Sequence, residues 1–238
     1  MSSVIIVASS TNIYICDIIL MKMTRLLLIL GFLVLSQSAS GQNYFTTKLG
    51  ISLSNQSPTG GNPRFGIATG LGYEYQISKV FWVAGGIDYV NKGTSLGVVA
   101  NVTEYTRRIN YWEVPFSLKY KYFFSPSFQW GFFGGVNIGF ANRARDRFFM
   151  IGTPQIVELG IGTPTGANRI DFGVHIGGEL NFTSDYGQLT MFALFNPSLS
   201  SALVDPLGSA DLTNNALQAG FIVKIGRAPY DPAKEREE

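Results

Sequence analysis

Phe65-Gly66-Ile67-Ala68-Thr69-Gly70-Leu71-Gly72-Tyr73-Glu74-Tyr75 alternates without a break. Every odd residue is large or β-branched, and every even residue is small or charged. A β-strand turns successive side chains to opposite faces, so this stretch has one greasy face and one small or polar face. Working outward, the same period of two recurs at about 44–54, 64–77, 80–91, 109–123, 127–141, 169–183, 187–199 and 215–226. The fourth segment sets Trp112, Val114, Phe116, Leu118, Tyr120 and Tyr122 against Tyr111, Glu113, Pro115, Ser117, Lys119 and Lys121. The seventh is the least regular, because Phe192 and Leu194 fall on the wrong parity and Pro197 sits near its end.

The charges decide what this alternation means. Within the segments stand Lys48, Arg64, Glu74, Asp88, Glu113, Lys119, Lys121, Arg169, Asp171, Glu179 and Lys224, all on the polar parity. A Lys or Arg facing lipid at mid-depth costs about 2–4 kcal/mol, so a lipid-facing surface should carry none. A solvated sheet face has no reason to be purged so thoroughly. A soluble lipid-binding barrel with the apolar set inside would also place Lys and Glu, not Gly66, Gly70, Gly72, Gly86, Gly131, Gly135 and Gly177, on its polar face.

Connections point the same way. Links after the second, fourth and sixth segments are short (Ser78-Lys79, Ser125-Pro126, Ser184-Asp185-Tyr186), and the others are longer, with 142–168 the longest. Short periplasmic turns opposite long extracellular loops describe an outer-membrane barrel. Tyr73, Tyr75, Phe81, Tyr120, Tyr122, Phe128 and Trp130 gather at the short-turn ends, as a periplasmic aromatic girdle would. The expected fold is all-β: an eight-stranded antiparallel up-and-down transmembrane barrel.

Composition agrees. Of 238 residues, 46% are hydrophobic and 14% charged, against about 25% charged in ordinary soluble domains. Residues 1–41 read as a signal region for secretory export. Lys22 and Arg25 precede the apolar run Leu26–Leu35, and Ser38-Ala39-Ser40-Gly41 is a small-residue cleavage site. Residues 1–20 look like an over-extended start, since Met21 and Met23 both follow them. Removal of 1–41 takes away the single cysteine, Cys16, and leaves 16 basic against 15 acidic residues. The near-zero balance excludes a nucleic-acid footprint, and the loss of Cys16 excludes a disulfide framework and Cys-based metal binding. The barrel is expected over 42–226, with 227–238 a charged periplasmic tail.

Asp88-Tyr89-Val90-Asn91-Lys92-Gly93, followed by Tyr111-Trp112-Glu113-Val114-Pro115-Phe116-Ser117-Leu118-Lys119-Tyr120, resembles the third and fourth strands of the PorT-like outer-membrane β-barrel family of Bacteroidetes. The resemblance runs over roughly 43–226. It implies an eight-stranded outer-membrane barrel, and one namesake is tied to assembly of a protein-secretion system. The charged, proline-containing end at 227–238 departs from the family's usual aromatic closing residue.

An eight-stranded barrel is only wide enough inside for side chains. Glu74, Asp88 and Glu113 are therefore expected to pair with Lys119, Lys121, Arg64 or Arg169 in a buried network, leaving no open pore. His175 is the only histidine, flanked at i−4 and i+4 by Asp171 and Glu179. No serine is close in sequence to complete a lipid A-modifying site, so no catalytic, cofactor or metal residues are expected. Arg107, Arg108, Arg143, Arg145 and Arg147 should gather at the extracellular ends of two neighbouring strands, where guanidinium groups could bind lipopolysaccharide phosphates. Ile-Gly-Thr-Pro occurs at both 151 and 161, suggesting paired turns. Phe148, Phe149, Met150 and Ile151 there could mark a protein-partner surface, or the strands could simply continue above the membrane. The expected role is non-enzymatic and structural or interactive, in envelope or secretion-machinery assembly, by a monomer that meets the barrel-assembly machinery during biogenesis. A lipid A-modifying enzyme and a small channel are the alternatives.

Overall fold

A computed structural model describes residues 43–57, 61–99, 102–125, 127–150, 153–163, 166–184, 187–202 and 212–226, with side chains omitted at 96–99, 102–104 and 149–150. The expected signal region and the charged tail lie outside these residues, as do parts of both Ile-Gly-Thr-Pro copies. The strands are β1 (Asn43–Ser57), β2 (Asn62–Gln76), β3 (Phe81–Val99), β4 (Val102–Ser125), β5 (Phe128–Met150), β6 (Thr153–Leu159), β7 (Ile170–Ser184), β8 (Gly187–Pro197) and β9 (Thr213–Gly226). Every strand-to-strand ladder is antiparallel. The order β4-β3-β2-β1-β9-β8-β7-β5 closes through pairing of β4 with β5. Eight strands thus form a closed barrel, and β6 is an annex paired to β5.

The apolar parity points outward. Leu49 is 64% exposed, Phe65 70% and Ile176 67%, while Glu74, Lys92, Lys121 and Lys224 are wholly buried. In water each exposed large apolar side chain would forgo about 1.5–3 kcal/mol, so this surface requires a hydrocarbon surround. No helix among the described residues is long and apolar enough to cross a membrane; the strands do the crossing. Aromatic rings pack on the outside near the short-turn end, with Phe81 5.6 Å from Tyr120 and Tyr122 5.7 Å from Trp130.

Strand length exceeds the sequence expectation on one side. About 9–11 residues span a bilayer, yet β4 has 24 residues and β5 has 23. The β3–β4 ladder runs on to Val99↔Val102, and β4–β5 to Val102↔Met150. What reads as long loops after the third and fifth segments is therefore largely sheet, a projection of β3, β4, β5 and β6 beyond the barrel. Outside the membrane neither face must be uniformly apolar, so residues 92–108 and 142–159 lack the alternation that marks the spanning parts.

Short connecting stretches pack against the base of the projection. Ile109, Tyr111 and Ala144 pack with Ala167 and Ala202 on the lumen side. Ala167 N donates to Gly160 O (2.9 Å), and Asn168 N donates to Ala202 O (3.0 Å), which ties the stretch before β7 to the one after β8.

Candidate functional site

The lumen is where polar side chains converge. Nearest the short turns, Glu74 of β2 and Glu179 of β7 meet three lysines from β4 and β9. Lys119 Nζ lies 2.8 Å from both Glu74 and Glu179. Lys121 pairs with Glu74 and reaches Glu179 at 3.7 Å. Lys224 sits 3.2 Å from Glu74, 3.4 Å from Glu179 and 2.9 Å from Asn181 Oδ1. Beneath them Tyr44 stacks on Trp82, with Lys121 Nζ 4.0 Å from the Trp82 ring centre. Toward the other end, Lys92 bridges Glu113 at 2.6 Å and Asp171 at 3.1 Å. Lys48 pairs with Asp88 at 2.7 Å between the two groups. Five lysines thus face five carboxylates.

Between the charged layers lies an apolar belt of Phe133, Phe192 and Leu194, with Ile222 against it. Phe192 and Leu194 point inward, which accounts for their wrong parity. Glycines make room for them: a Cβ at Gly177 would lie 2.6 Å from the Phe133 ring and 2.8 Å from Leu194 Cβ. Lys48 and Lys119 rest over Phe192 and Phe133 at 5.1 and 5.2 Å, a favourable placement of cations on ring faces. A cavity of about 90 Å³ remains at this level, lined by Ser117, His175, Asn137 and Asn196 among others. That is room for a few water molecules, not a pore.

Two residues expected in the network are elsewhere. Arg169 precedes β7, is exposed, and reaches no carboxylate among the described residues, although its backbone oxygen still accepts from Ala141 N at 2.8 Å. Arg64 likewise meets no carboxylate, and its Nη1 is buried without a partner. Lys92 takes the position these arginines were expected to fill. It shares the parity of Asp88 and Val90 and lies one residue past the end of the third segment. Lys48 and Lys224 complete the set.

His175 shows a contact that sequence spacing conceals. Ser117 Oγ, 58 residues away on β4, is 2.7 Å from His175 Nε2. Asp171 is committed to Lys92, Ser198 and Ser200, and Glu179 to the lysines, so neither flanking acid orients the imidazole. Both members are more than 90% buried inside the barrel wall, turned away from lipid. Among the described residues no group of three or more His, Cys, Asp or Glu is placed to hold a metal.

The five rim arginines divide between two faces, with Arg147 in register with Thr106 on the outward parity of Arg145. Arg107 turns to the lumen side, where its Nε and Nη2 each donate to Asp146 at 2.8 Å, and Tyr105 also donates to that carboxylate. Burial opposes the Arg107 charge, but Asp146 more than offsets this and holds its pKa above the ordinary value. Arg108 faces outward opposite Arg145, and Arg143 is outward and paired with Glu158. The hydrogen bonds from Arg143 lower the Glu158 pKa. Any stabilisation from this pair is therefore present above the ordinary carboxylate pKa and is lost as pH falls through the lowered value. Both groups are half exposed, and exposed pairs contribute little. Glu158→Gln should leave the thermal unfolding of the barrel nearly unchanged at neutral pH.

With a closed barrel, an apolar exterior and a charged interior in place, family membership follows from the sequence match. Residues 35–204 match the family described as outer membrane protein beta-barrel domain. The chain belongs to that family. As an outer-membrane barrel it also aligns with solved structures of low identity. One is Ail, the attachment invasion locus protein of Yersinia pestis, solved in complex with the heparin analogue sucrose octasulfate (13% identity, 78% of this chain and 99% of that one, TM-score 0.40). Another is Neisserial surface protein A (12%, 77% and 97%, TM-score 0.42). A third is the N-terminal β-barrel domain of Pseudomonas aeruginosa OprF (10%, 78% and 100%, TM-score 0.32). No curated protein matches the sequence significantly.

Proposed function

We propose that this outer-membrane barrel is a non-enzymatic, non-conducting scaffold that presents the projecting β3–β6 sheet outside the cell for interaction, within envelope or secretion-machinery assembly. One observation carries the reading: the lumen is filled by opposed charges and an apolar belt, while the sheet continues well past the membrane on one side. Short turns face the periplasm in such barrels, which puts the projection outside. The PorT-like character of the Glu113-Val114-Pro115 strand supports the secretion-related role. Residues 1–41 act as the export signal and 227–238 as a periplasmic tail, and the barrel works as a monomer.

The 2.7 Å Ser117–His175 contact favours a second reading, acyl transfer on lipid A, but a lipid carbonyl outside the wall has no route to a hydroxyl inside it. Planar-bilayer recordings of the full chain should show no steady, large conductance. Lipid A from overexpressing cells should keep its mass, and crosslinking in native membranes should join the projection to another envelope protein. A steady conductance would replace the scaffold by a channel, and an acylated or deacylated lipid A by an enzyme.

A further inference from the structure

The outer face of the projection carries three rows. Tyr89, Trp112 and Phe140 are cross-strand partners on β3, β4 and β5, with Tyr89 and Trp112 rings 5.1 Å apart. Two residues farther out come Asn91 and Asn110, also partners, and Asn110 pairs in register with Arg143. The next row sets Arg108 directly against Arg145. Directly opposed like charges destabilise a sheet unless something neutralises them. Among the described residues the nearby acids do not balance this row: Asp146 holds Arg107 on the other face, and the single carboxylate of Glu158, in register with Arg145, is hydrogen-bonded by Arg143 and shared with Arg145.

Arg108 is nonetheless held in place. Its Nη2 donates to Asn91 Oδ1 at 2.5 Å and its Nε to Asn110 Oδ1 at 3.1 Å. Asn91 Nδ2 donates to Asn110 Oδ1 at 2.9 Å, and both asparagines are buried. Neutral acceptors orient a guanidinium without cancelling its charge. Arg64, on β2 beside a register shift in the β2–β3 ladder, lies in the field of Arg108 and Arg145, and its buried Nη1 has no partner. Ile67 N donates to Asn91 Oδ1 at 3.3 Å, tying the shifted part of β2 to the same asparagine.

We propose that Arg64, Arg108 and Arg145 form one binding site for a phosphate-bearing anion, with Arg107 and Arg143 excluded from it. Forked guanidinium donors suit phosphate oxygens. The site stands about 13 Å along the strand from an aromatic row suited to the membrane interface, on the side away from the hydrocarbon. This rests on the outer-membrane reading but not on the lumen being closed.

The test uses the full-length barrel in uncharged maltoside micelles, with bisphosphorylated lipid A, dephosphorylated lipid A and inorganic pyrophosphate as probes. Wild type should retain bisphosphorylated lipid A and release it at high salt. The R64Q/R108Q/R145Q variant should bind it about tenfold or more weaker, while R107Q and R143Q bind as wild type. Displacement by pyrophosphate would show that the site takes phosphate from a soluble source as well. Failure to displace would show a site that needs the lipid headgroup. Equal retention of dephosphorylated lipid A, or unchanged binding by the triple variant, would overturn the proposal. Should the triple variant fail to migrate as a folded, heat-modifiable barrel, R145Q alone carries the test, since Arg145 holds no other side chain in place. Losing this site would not alter bilayer conductance, so its failure and that of the scaffold reading are separable.

Discussion

Glu74→Gln is expected to destabilise the folded barrel by about 3–5 kcal/mol, the range for breaking a buried ion pair by removing one partner. Glu74 and Glu179 together neutralise Lys119, Lys121 and Lys224 inside the lumen, and all five side chains are 7% exposed or less. With Glu74 neutral, three ammonium groups would face one carboxylate in a low-dielectric interior. The cluster already holds one more lysine than acid, so Lys224→Met should cost markedly less. Its removal brings the local charge to zero and leaves Lys119 and Lys121 with both acids. Urea unfolding in lipid vesicles, followed by tryptophan fluorescence, reads both variants. A Glu74→Gln loss no larger than that of Lys224→Met would mean that the charges are not mutually neutralising, and the paired-lumen account would fall.

How much of this was legible in the sequence depends on where the membrane constrains the chain. Between Phe65 and Tyr75 hydrocarbon on one side and a crowded lumen on the other allow one pattern only, so face and parity could be read directly. The spanning charges could be read for the same reason, since each would be costly on the lipid face. Beyond Asn91 on β3 and before Ile109 on β4 that constraint ends, and the strand extensions were invisible. Lys92 was missed at that boundary, although it continues the parity of Asp88. Arg107 and Arg108 looked like one basic cluster. Applying the strand period from Tyr111 back to Tyr105 would have separated them, because neighbours on a strand face opposite ways. Phe192 and Leu194 looked like defects in the seventh segment, yet they fill the lumen opposite Gly177. A packing partner on another strand carries no local signature. The same holds for Ser117 and His175, whose contact exists only through the order of β4, β5 and β7.

The apolar belt separates two ways of closing a barrel. Truncating Phe133 and Phe192 together should cost several kcal/mol, since a single buried Phe→Ala change costs about 3–5 kcal/mol. The two changes should sum to less than their separate costs, because they share one cluster and neighbouring losses are not additive. The cavity of about 90 Å³ should grow and admit more water. Conductance should nevertheless stay absent, because the lysine–carboxylate cluster below and the Lys92–Glu113–Asp171 bridge above are untouched. An ion crossing the belt would still meet side chains whose charges are already satisfied and which fill the cross-section. Thermal unfolding and planar-bilayer recording on the same preparation distinguish the cases. A destabilised but silent variant places the seal in the charged layers. A steady current would place it in Phe133 and Phe192 instead, leaving the ion pairs to hold the strands in register around a passage that two aromatic rings obstruct.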